Sequence, residues 1–228
     1  MVQEINITLA PATIVALKDL GYALYVMRAF DTTNAAGKPL VWIATTQFLE
    51  KTTITFEAQY AAYVSISQMI PNGVVSASST SGVNLGQTAT IDGMGEITIT
   101  QGGNPAGVTL VNSSTTPYTT GLAATVNGAF APIFAEPLYG LAEDIAAPLD
   151  LLLLTFTTQG VTAGTLIEHA MSQSLLVDLT GADKRAVAFD INTGWSAGGA
   201  TWATPVAAGT DLTPVLVHEK PLERRLTA

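Results

Sequence analysis

Three acidic side chains that lie close together in the sequence are the first candidates for chemistry. Glu143, Asp144 and Asp150 fall within a short stretch. Carboxylate oxygens are the ligands that calcium prefers, and a pair of carboxylates can supply the acid and the base of glycoside hydrolysis. The spacing of these residues specifies neither role, and a solvated turn is the alternative. They are the metal candidates of this chain, but the sequence identifies no metal.

A second polar run, residues 190–194 (Asp-Ile-Asn-Thr-Gly), has the composition with which a calcium-binding loop begins. Gly194 stands one position early for the EF-hand pattern, and Thr201 stands where that pattern has a bidentate glutamate. Asp and Asn side chains often accept hydrogen bonds from backbone groups just ahead of them in a turn. We therefore expect an Asx turn at Asp190.

The chain has two histidines and no cysteine, so it has few nucleophiles or soft metal ligands. His169 follows Glu168 and lies near Ser172 and Ser174, which are the residue types of a hydrolase triad. There is no Gly-x-Ser-x-Gly motif, and a loop histidine is the alternative. His218 lies in a charged stretch and is expected to be solvated. Two isolated histidines do not define a zinc site.

Two tryptophans are the candidates for a ligand or interface contact. Trp195 and Trp202 flank a stretch of small residues, 196–201. Exposed aromatic rings on such a loop can stack on a sugar, lie at a lipid interface or fill a pocket on a partner. The alternative is that both rings cover the end of the hydrophobic core.

The chain is poor in charge for its length. It has 228 residues, of which 12% are charged, and a net charge of −9; about a quarter is usual. Between residues 70 and 141 the only charges are Asp92, Glu96 and Glu136. The acidic balance argues against nucleic acid, whose binding needs clustered Lys and Arg, and against electrostatic adsorption to anionic lipids.

Short apolar runs punctuated by Gly, Pro and Asn predict the elements that must position these residues. Residues 3–9 alternate as a strand does, and residues 11–20 have helical spacing after Pro11. Asp-Gly at 92–93 predicts one hairpin, and residues 181–183 predict a second. Residues 141–145 are expected to form a helical turn. About a dozen short strands with no long helices predict an all-β fold, a β-sandwich or jelly-roll-like barrel with one short helix near the N-terminus.

The chain is predicted to be a single β-rich domain, residues 1–228, from which a C-terminal tail, residues 219–228, could extend. No signal peptide is visible, because residues 1–4 lack a positive n-region and no long apolar h-region follows them. No membrane-spanning segment is visible either, because the most apolar window, 145–156, is short and interrupted by Pro148 and Asp150. Synthesis in the cytoplasm is therefore expected, and release from the cell stays open.

Low charge and few nucleophiles favour a non-enzymatic, β-rich binding or self-assembling protein, expected as a homo-oligomer because uncharged surface tends to be covered by a partner. One alternative is a membrane-acting, pore-forming toxin that inserts a β-hairpin, since residues 74–126 alternate apolar and small polar side chains. Another is a lectin or hydrolase for a neutral ligand such as a carbohydrate, which needs the two tryptophans and the three carboxylates in one pocket. No cofactor and no nucleic-acid partner are predicted.

Overall fold

A computed structural model describes residues 2–126 and 128–220, and extended backbone dominates it. Strands account for 55% and helices for 6% of the residues. The predicted all-β class is confirmed, with several sheets in a sandwich-like arrangement. The short helix near the N-terminus is also present. Pro11 occupies its first turn, where no backbone donor is required, and the chain leaves it through Gly21, whose φ is +73°.

The described residues form nineteen strands and two helices. In chain order these are β1 (Val2–Leu9), α1 (Pro11–Asp19), β2 (Ala23–Thr32), β3 (Lys38–Pro39), β4 (Val41–Thr45), β5 (Lys51–Glu57), β6 (Tyr60–Ser65), β7 (Ser79–Val83), β8 (Gln87–Ile91), β9 (Ile97–Gln101), β10 (Val108–Asn112), β11 (Tyr118–Val126), β12 (Ala129–Pro132), β13 (Phe134–Leu138), β14 (Glu143–Thr157), β15 (Ser174–Asp178), β16 (Lys184–Asp190), β17 (Gly194–Ser196), β18 (Ala203–Val206), α2 (Thr213–Leu216) and β19 (Val217–Glu219).

The strands form three sheets. A four-stranded sheet has the order β17-β16-β1-β5, with β1 parallel to β16 and antiparallel to β5. A nine-stranded sheet follows the path β18-β15-β14-β10-β8-β9, and β2 joins it beside β14 with β4 and β19 on its other edge. A six-stranded sheet has the order β3-β13-β11-β6-β7, with β12 also on β11. Strands far apart in the chain thus pair in all three sheets, as β1 does with β16, β2 with β19 and β3 with β13.

Strand β14 is the longest strand, with fifteen residues, and it organises the nine-stranded sheet. One edge of β14 pairs with β2. Its other edge pairs with β10 at residues 143–146 and with β15 at residues 151–155. The ladder with β2 shifts register between Pro148 and Leu152. Every residue of β2 is buried. A strand covered on both faces is expected to be a nearly continuous apolar run, as β2 is.

Aromatic side chains join the three sheets. Phe30 of β2 and Phe134 of β13 stack with ring centroids 3.8 Å apart, which connects the nine-stranded and six-stranded sheets. Trp42 of β4 meets the ring of Phe56 of β5 edge-on at 5.6 Å. The indole N–H of Trp42 donates to the carbonyl oxygen of Ala124 in β11, at 3.3 Å. Trp42 therefore contacts all three sheets, and its buried N–H is satisfied.

Two local predictions are wrong. Residues 141–145 do not form a helical turn, because the chain turns at 140–141 and β14 begins at Glu143. Residues 181–183 form a turn but not a hairpin. Strand β15 pairs with β14 and β18, whereas β16 pairs with β1 and β17, so the turn carries the chain from one sheet to another. The hairpin at residues 92–95 is confirmed, between β8 and β9.

The predicted C-terminal tail lies mostly outside the described residues, which end at Lys220. Its described start is attached to the fold: β19 runs parallel to β2, and the Lys220 N–H donates to the Thr32 carbonyl oxygen at 3.0 Å. The Lys220 ammonium and the His218 ring lie 2.8 and 3.5 Å from the carboxylate of Asp31. None of the described helices is long and apolar enough to reach across a lipid bilayer.

Gly121 in β11 provides a test of the packing between strands. A Cβ at this position would lie 2.2 Å from the Phe134 carbonyl oxygen and 3.0 Å from the Tyr63 ring. Gly121→Ala should therefore lower the free energy of unfolding, measured by urea denaturation, by about 1–3 kcal/mol or more. Gly82→Ala is the matched control, because a Cβ on that exposed strand glycine meets no atom within 4 Å. Equal stabilities of the two variants would contradict the packing of β11 against β13.

Candidate functional site

Trp195 lies on β17 with its ring packed into an aromatic cluster. It stacks on Phe156 at a centroid distance of 5.4 Å and an interplanar angle of 19°, and lies 4.9 Å from the ring of Phe189. The ring is half-buried, and its Nε1 is buried without a hydrogen-bond partner among the described residues. Most of the apolar ring therefore covers the core between β14 and β16.

Trp202 lies in the turn before β18, and its ring is covered by a cation. The guanidinium of Arg185 lies 4.9 Å from the centroid of the Trp202 ring. Arg185 Nε donates to the Asp178 carbonyl oxygen at 3.2 Å. Trp202 is also half-buried. Both tryptophans thus have intramolecular partners on their faces, and their role as a ligand or interface contact stays a prediction.

The three carboxylates all lie on β14, but they do not converge. Adjacent side chains of a strand point to opposite faces, so Glu143 and Asp144 diverge, and Asp150 lies about 20 Å further along the strand. Asp144 accepts hydrogen bonds from Asn34 Nδ2 at 2.9 Å and Thr33 Oγ1 at 3.4 Å. Partial burial raises the pKa of Asp144, while these two hydrogen bonds lower it.

Asp150 is paired with a buried cation. Its carboxylate lies 3.0 Å from the Arg28 guanidinium, whose side chain is only 2% exposed. Arg28 Nε donates to the Leu149 carbonyl oxygen at 2.7 Å, and the guanidinium lies over the rings of Phe56 and Tyr60. The described residues contain no group of three or more His, Asp or Glu side chains that could hold a metal ion.

The two groups that a lectin or hydrolase would need do not share a described cavity. Four surface cavities of about 270–350 Å³ are described, and neither tryptophan nor any of the three carboxylates lines them. His169 lines one of these cavities, together with Glu168, Asn72 and Gln159. Ser172 Oγ lies 2.6 Å from the Phe156 carbonyl oxygen, to which it donates, so its hydroxyl is engaged with the backbone rather than with His169.

Asp190 forms the Asx turn that the sequence predicts. Its Oδ1 accepts hydrogen bonds from the backbone N–H groups of Asn192 and Thr193, at 2.9 and 3.2 Å. Its Oδ2 accepts from the hydroxyl of Thr13 in α1, at 3.0 Å. The Asn192 N–H above all, and then the Thr13 hydroxyl, hold the pKa of Asp190 below its ordinary value. The residue therefore ties α1 to the β16–β17 turn.

The sequence patterns did not predict one feature of the structure, a pair of open sheet edges. Strand β7 is the last strand of the six-stranded sheet and β9 the last of the nine-stranded sheet. The two strands lie against one another without a backbone ladder between them. Neither contains a proline or a charged residue. An edge strand presents unpaired N–H and C=O groups, so an uncharged edge can accept another strand.

The other described edges each carry a feature that blocks pairing. Charged residues lie on β3, β5 and β19, and prolines lie on β3, β12 and β18. Strand β17 has only three residues. Strand β4 is covered at Val41, whose N–H donates to the Thr165 carbonyl oxygen and whose own carbonyl accepts from Gly164. The β7–β9 edge, residues 79–83 and 97–101, is therefore the candidate site for association.

Comparisons of this chain with protein-family models, with curated proteins and with solved structures found no match.

Glu136 of β13 is a fully buried acid in the charge-poor segment. Its Oε2 accepts a hydrogen bond from the Thr32 hydroxyl at 2.7 Å, and its Oε1 is buried without a hydrogen-bond partner among the described residues. Burial raises the pKa of Glu136 from 4.5 to about 8, opposed by the Thr32 hydrogen bond and assisted by the nearby charge of Asp144. The side chain is therefore protonated at neutral pH in the folded protein.

This raised pKa predicts an unusual pH dependence of stability. Between pH 4.5 and about 8 the folded chain keeps the proton of Glu136 and the unfolded chain releases it. The free energy of unfolding should therefore fall as the pH rises through this window. The folded state binds one more proton than the unfolded state here, so a rise in pH favours the unfolded state. The loss should reach a few kcal/mol, at about 1.4 kcal/mol per pKa unit.

Glu136→Gln should remove most of this pH dependence in urea denaturation at pH 5, 6.5 and 8.5. The matched control is Glu96→Gln, which neutralises an exposed glutamate and should keep the wild-type slope. If Glu136→Gln and the wild type lose stability in parallel between pH 5 and 8.5, the buried acid is not the titrating group.

Proposed function

We propose that this chain is a non-enzymatic, self-assembling β-rich protein that associates through the β7–β9 edge. The observation that carries the proposal is that these two edge strands, alone among the described edges, have no proline, no charge, no very short length and no backbone hydrogen bond to a covering segment. Natural sheets usually protect their edges with such features. An edge left open while its neighbours are protected therefore fits a surface that another strand covers.

The distribution of charge supports the same function. A net charge of −9 makes copies of the chain repel one another wherever acidic surfaces meet. Strands β7 and β9 add nothing to that repulsion, because their residues are Ser, Thr, Gly, Val, Ile and Gln. Association is thereby favoured at this edge over the rest of the surface.

The position of β7 and β9 supports association through both of the sheets that end at them. Strands β7 and β9 belong to different sheets and lie against one another, so both sheets end on the same side of the molecule. A partner that meets this side can extend the two sheets at once. Backbone hydrogen bonds supply such an interface with affinity and alternate side chains supply specificity.

Sedimentation velocity of the wild-type chain tests the proposal. We expect dimers or larger species within a loading range of about 1 μM to 1 mM, which covers association free energies of about 8 to 4 kcal/mol. The association should persist in high salt, because an uncharged edge involves no ion pairs and salt screens the repulsion between acidic copies. A strict monomer throughout this range would overturn the proposed function.

A lysine on each open strand should abolish the association. Thr80 of β7 and Thr98 of β9 are exposed, so Thr80→Lys with Thr98→Lys adds two charges to the open edges without disturbing the core. The matched control adds the same two charges to protected edges, as Thr55→Lys on β5 with Thr204→Lys on β18. We expect sedimentation of the control to match the wild type. Loss of association in both double variants would point to net charge rather than to the edge.

A further inference from the structure

We infer that β9 pairs with β9 of a second copy of this chain, antiparallel and centred on Ile99. The inference rests on the proposed function and deepens it, because it specifies the partner, the direction and the register. The pairing places residues 97, 98 and 99 of one copy opposite residues 101, 100 and 99 of the other. The nine-stranded sheet of one copy would then continue into that of the other across a two-fold axis, which is the symmetry of most homodimers.

Every second residue of β9 directs its backbone N–H and C=O groups away from β8, to the open side of the strand. The Asp92 N–H donates to the Glu96 carbonyl oxygen at 3.1 Å, so residues 92 and 96 are a hydrogen-bonded pair of the hairpin. Such pairs alternate along an antiparallel ladder. In the register of β8 and β9, Thr98 and Thr100 therefore face β8, whereas Ile97, Ile99 and Gln101 direct their N–H and C=O groups to the open side.

A hydrogen bond on the far side of β8 supports this assignment. Ile91 stands opposite Ile97 in the ladder, and its carbonyl oxygen accepts from the Ser113 N–H at 2.9 Å, just beyond the end of β10. The Ile91 carbonyl thus points away from β9, as expected for a pair that is not hydrogen-bonded. By the same alternation the Ile97 carbonyl points away from β8. Centring the pairing on Ile99 satisfies all three outward residues of each copy at once.

Charge selects the antiparallel direction. Glu96 is exposed and immediately precedes β9. In a parallel, in-register pairing the two Glu96 carboxylates would be neighbours, whereas centring on Ile99 separates the two residues by about 20 Å along the strands. A second copy therefore fits this edge without bringing its acidic ends together.

The side chains of β9 are complementary to themselves in this register. Thr98 and Thr100 are exposed on one face, and each would lie opposite the other across the two-fold axis. Cross-strand threonine pairs stabilise antiparallel sheets through hydroxyl hydrogen bonds. Ile97 and Ile99 on the opposite face are only partly buried against the core. Ile99 of the second copy would cover the remaining exposed surface of Ile99.

Proline at the centre of the pairing tests the backbone contact. Ile99→Pro removes an N–H that points to the open side, which an edge strand tolerates, and it should raise the dissociation constant at least about tenfold. Ile99→Val keeps the N–H and should associate as the wild type does, and Ile99→Ala measures the loss of the side chain. Far-UV circular dichroism and thermal unfolding show whether each variant is folded. A folded Ile99→Pro chain with wild-type association would overturn the pairing.

Disulfide formation between two variants tests the register and stays informative if Ile99→Pro does not fold. The chain has no cysteine, so Thr98→Cys and Thr100→Cys each introduce a single thiol. Residues opposite each other in a pair without hydrogen bonds have Cα atoms about 4.5 Å apart, which a disulfide can bridge. An equimolar mixture of the two variants should form a mixed disulfide dimer under oxidation, and neither variant alone should do so efficiently.

The outcomes separate this inference from the proposed function. Disulfide dimers of Thr98→Cys alone or of Thr100→Cys alone would show a different register and overturn the inference. An absence of disulfides in all samples, while the wild type associates, would exclude β9 self-pairing and leave association by another edge. A wild type that is monomeric in sedimentation would overturn the proposed function itself.

Discussion

The pairing of β2 with β14 is the constraint on which the rest of the structure depends. Strand β14 is long enough to carry two different strands on its outer edge, and β2 is the common partner that holds its two halves in one sheet. The other edge of β2 receives β4 and β19. Because β2 is buried throughout, its residues also supply the core contact between Phe30 and Phe134 that joins the nine-stranded sheet to the six-stranded sheet. Most of the architecture is therefore assembled around these two strands.

The register shift in this pairing explains the presence of a buried arginine. Between Pro148 and Leu152 the ladder is interrupted, so the backbone of the intervening residues loses its regular partners on β2. Arg28 donates to the carbonyl oxygen of Leu149 and pairs with the carboxylate of Asp150, and thus replaces ladder hydrogen bonds with side-chain ones. A bulge that left such groups unpaired in the interior would cost stability. Asp150, a metal or catalytic candidate by sequence, therefore has a structural partner.

Local patterns predicted the class of the fold and failed where pairing partners decide the outcome. The helix after Pro11, the Asp92–Gly93 turn and the Asx turn at Asp190 are all set by neighbours in the sequence. Residues 141–145 fit helical spacing, but the partners of β14, which are distant in sequence, select the strand. The turn at residues 181–183 looks like a hairpin because the sequence does not indicate that β15 and β16 belong to different sheets. Glu136 appeared only as an isolated charge, since its burial comes from packing against β2.

The charge-poor segment has two physical roles that the sequence alone does not separate. On β8 and β10, residues such as Ala89, Ile91, Val108 and Leu110 face the core, and charge is absent there because burying it would be costly. Burial does not explain the exposed threonines of β7 and β9, where a lysine or glutamate would be solvated and would protect the edge. Protection is present on the other edges of the same chain, so its absence here is local rather than a consequence of composition. An uncharged, exposed edge in an acidic protein is the place where a second copy meets the least electrostatic resistance.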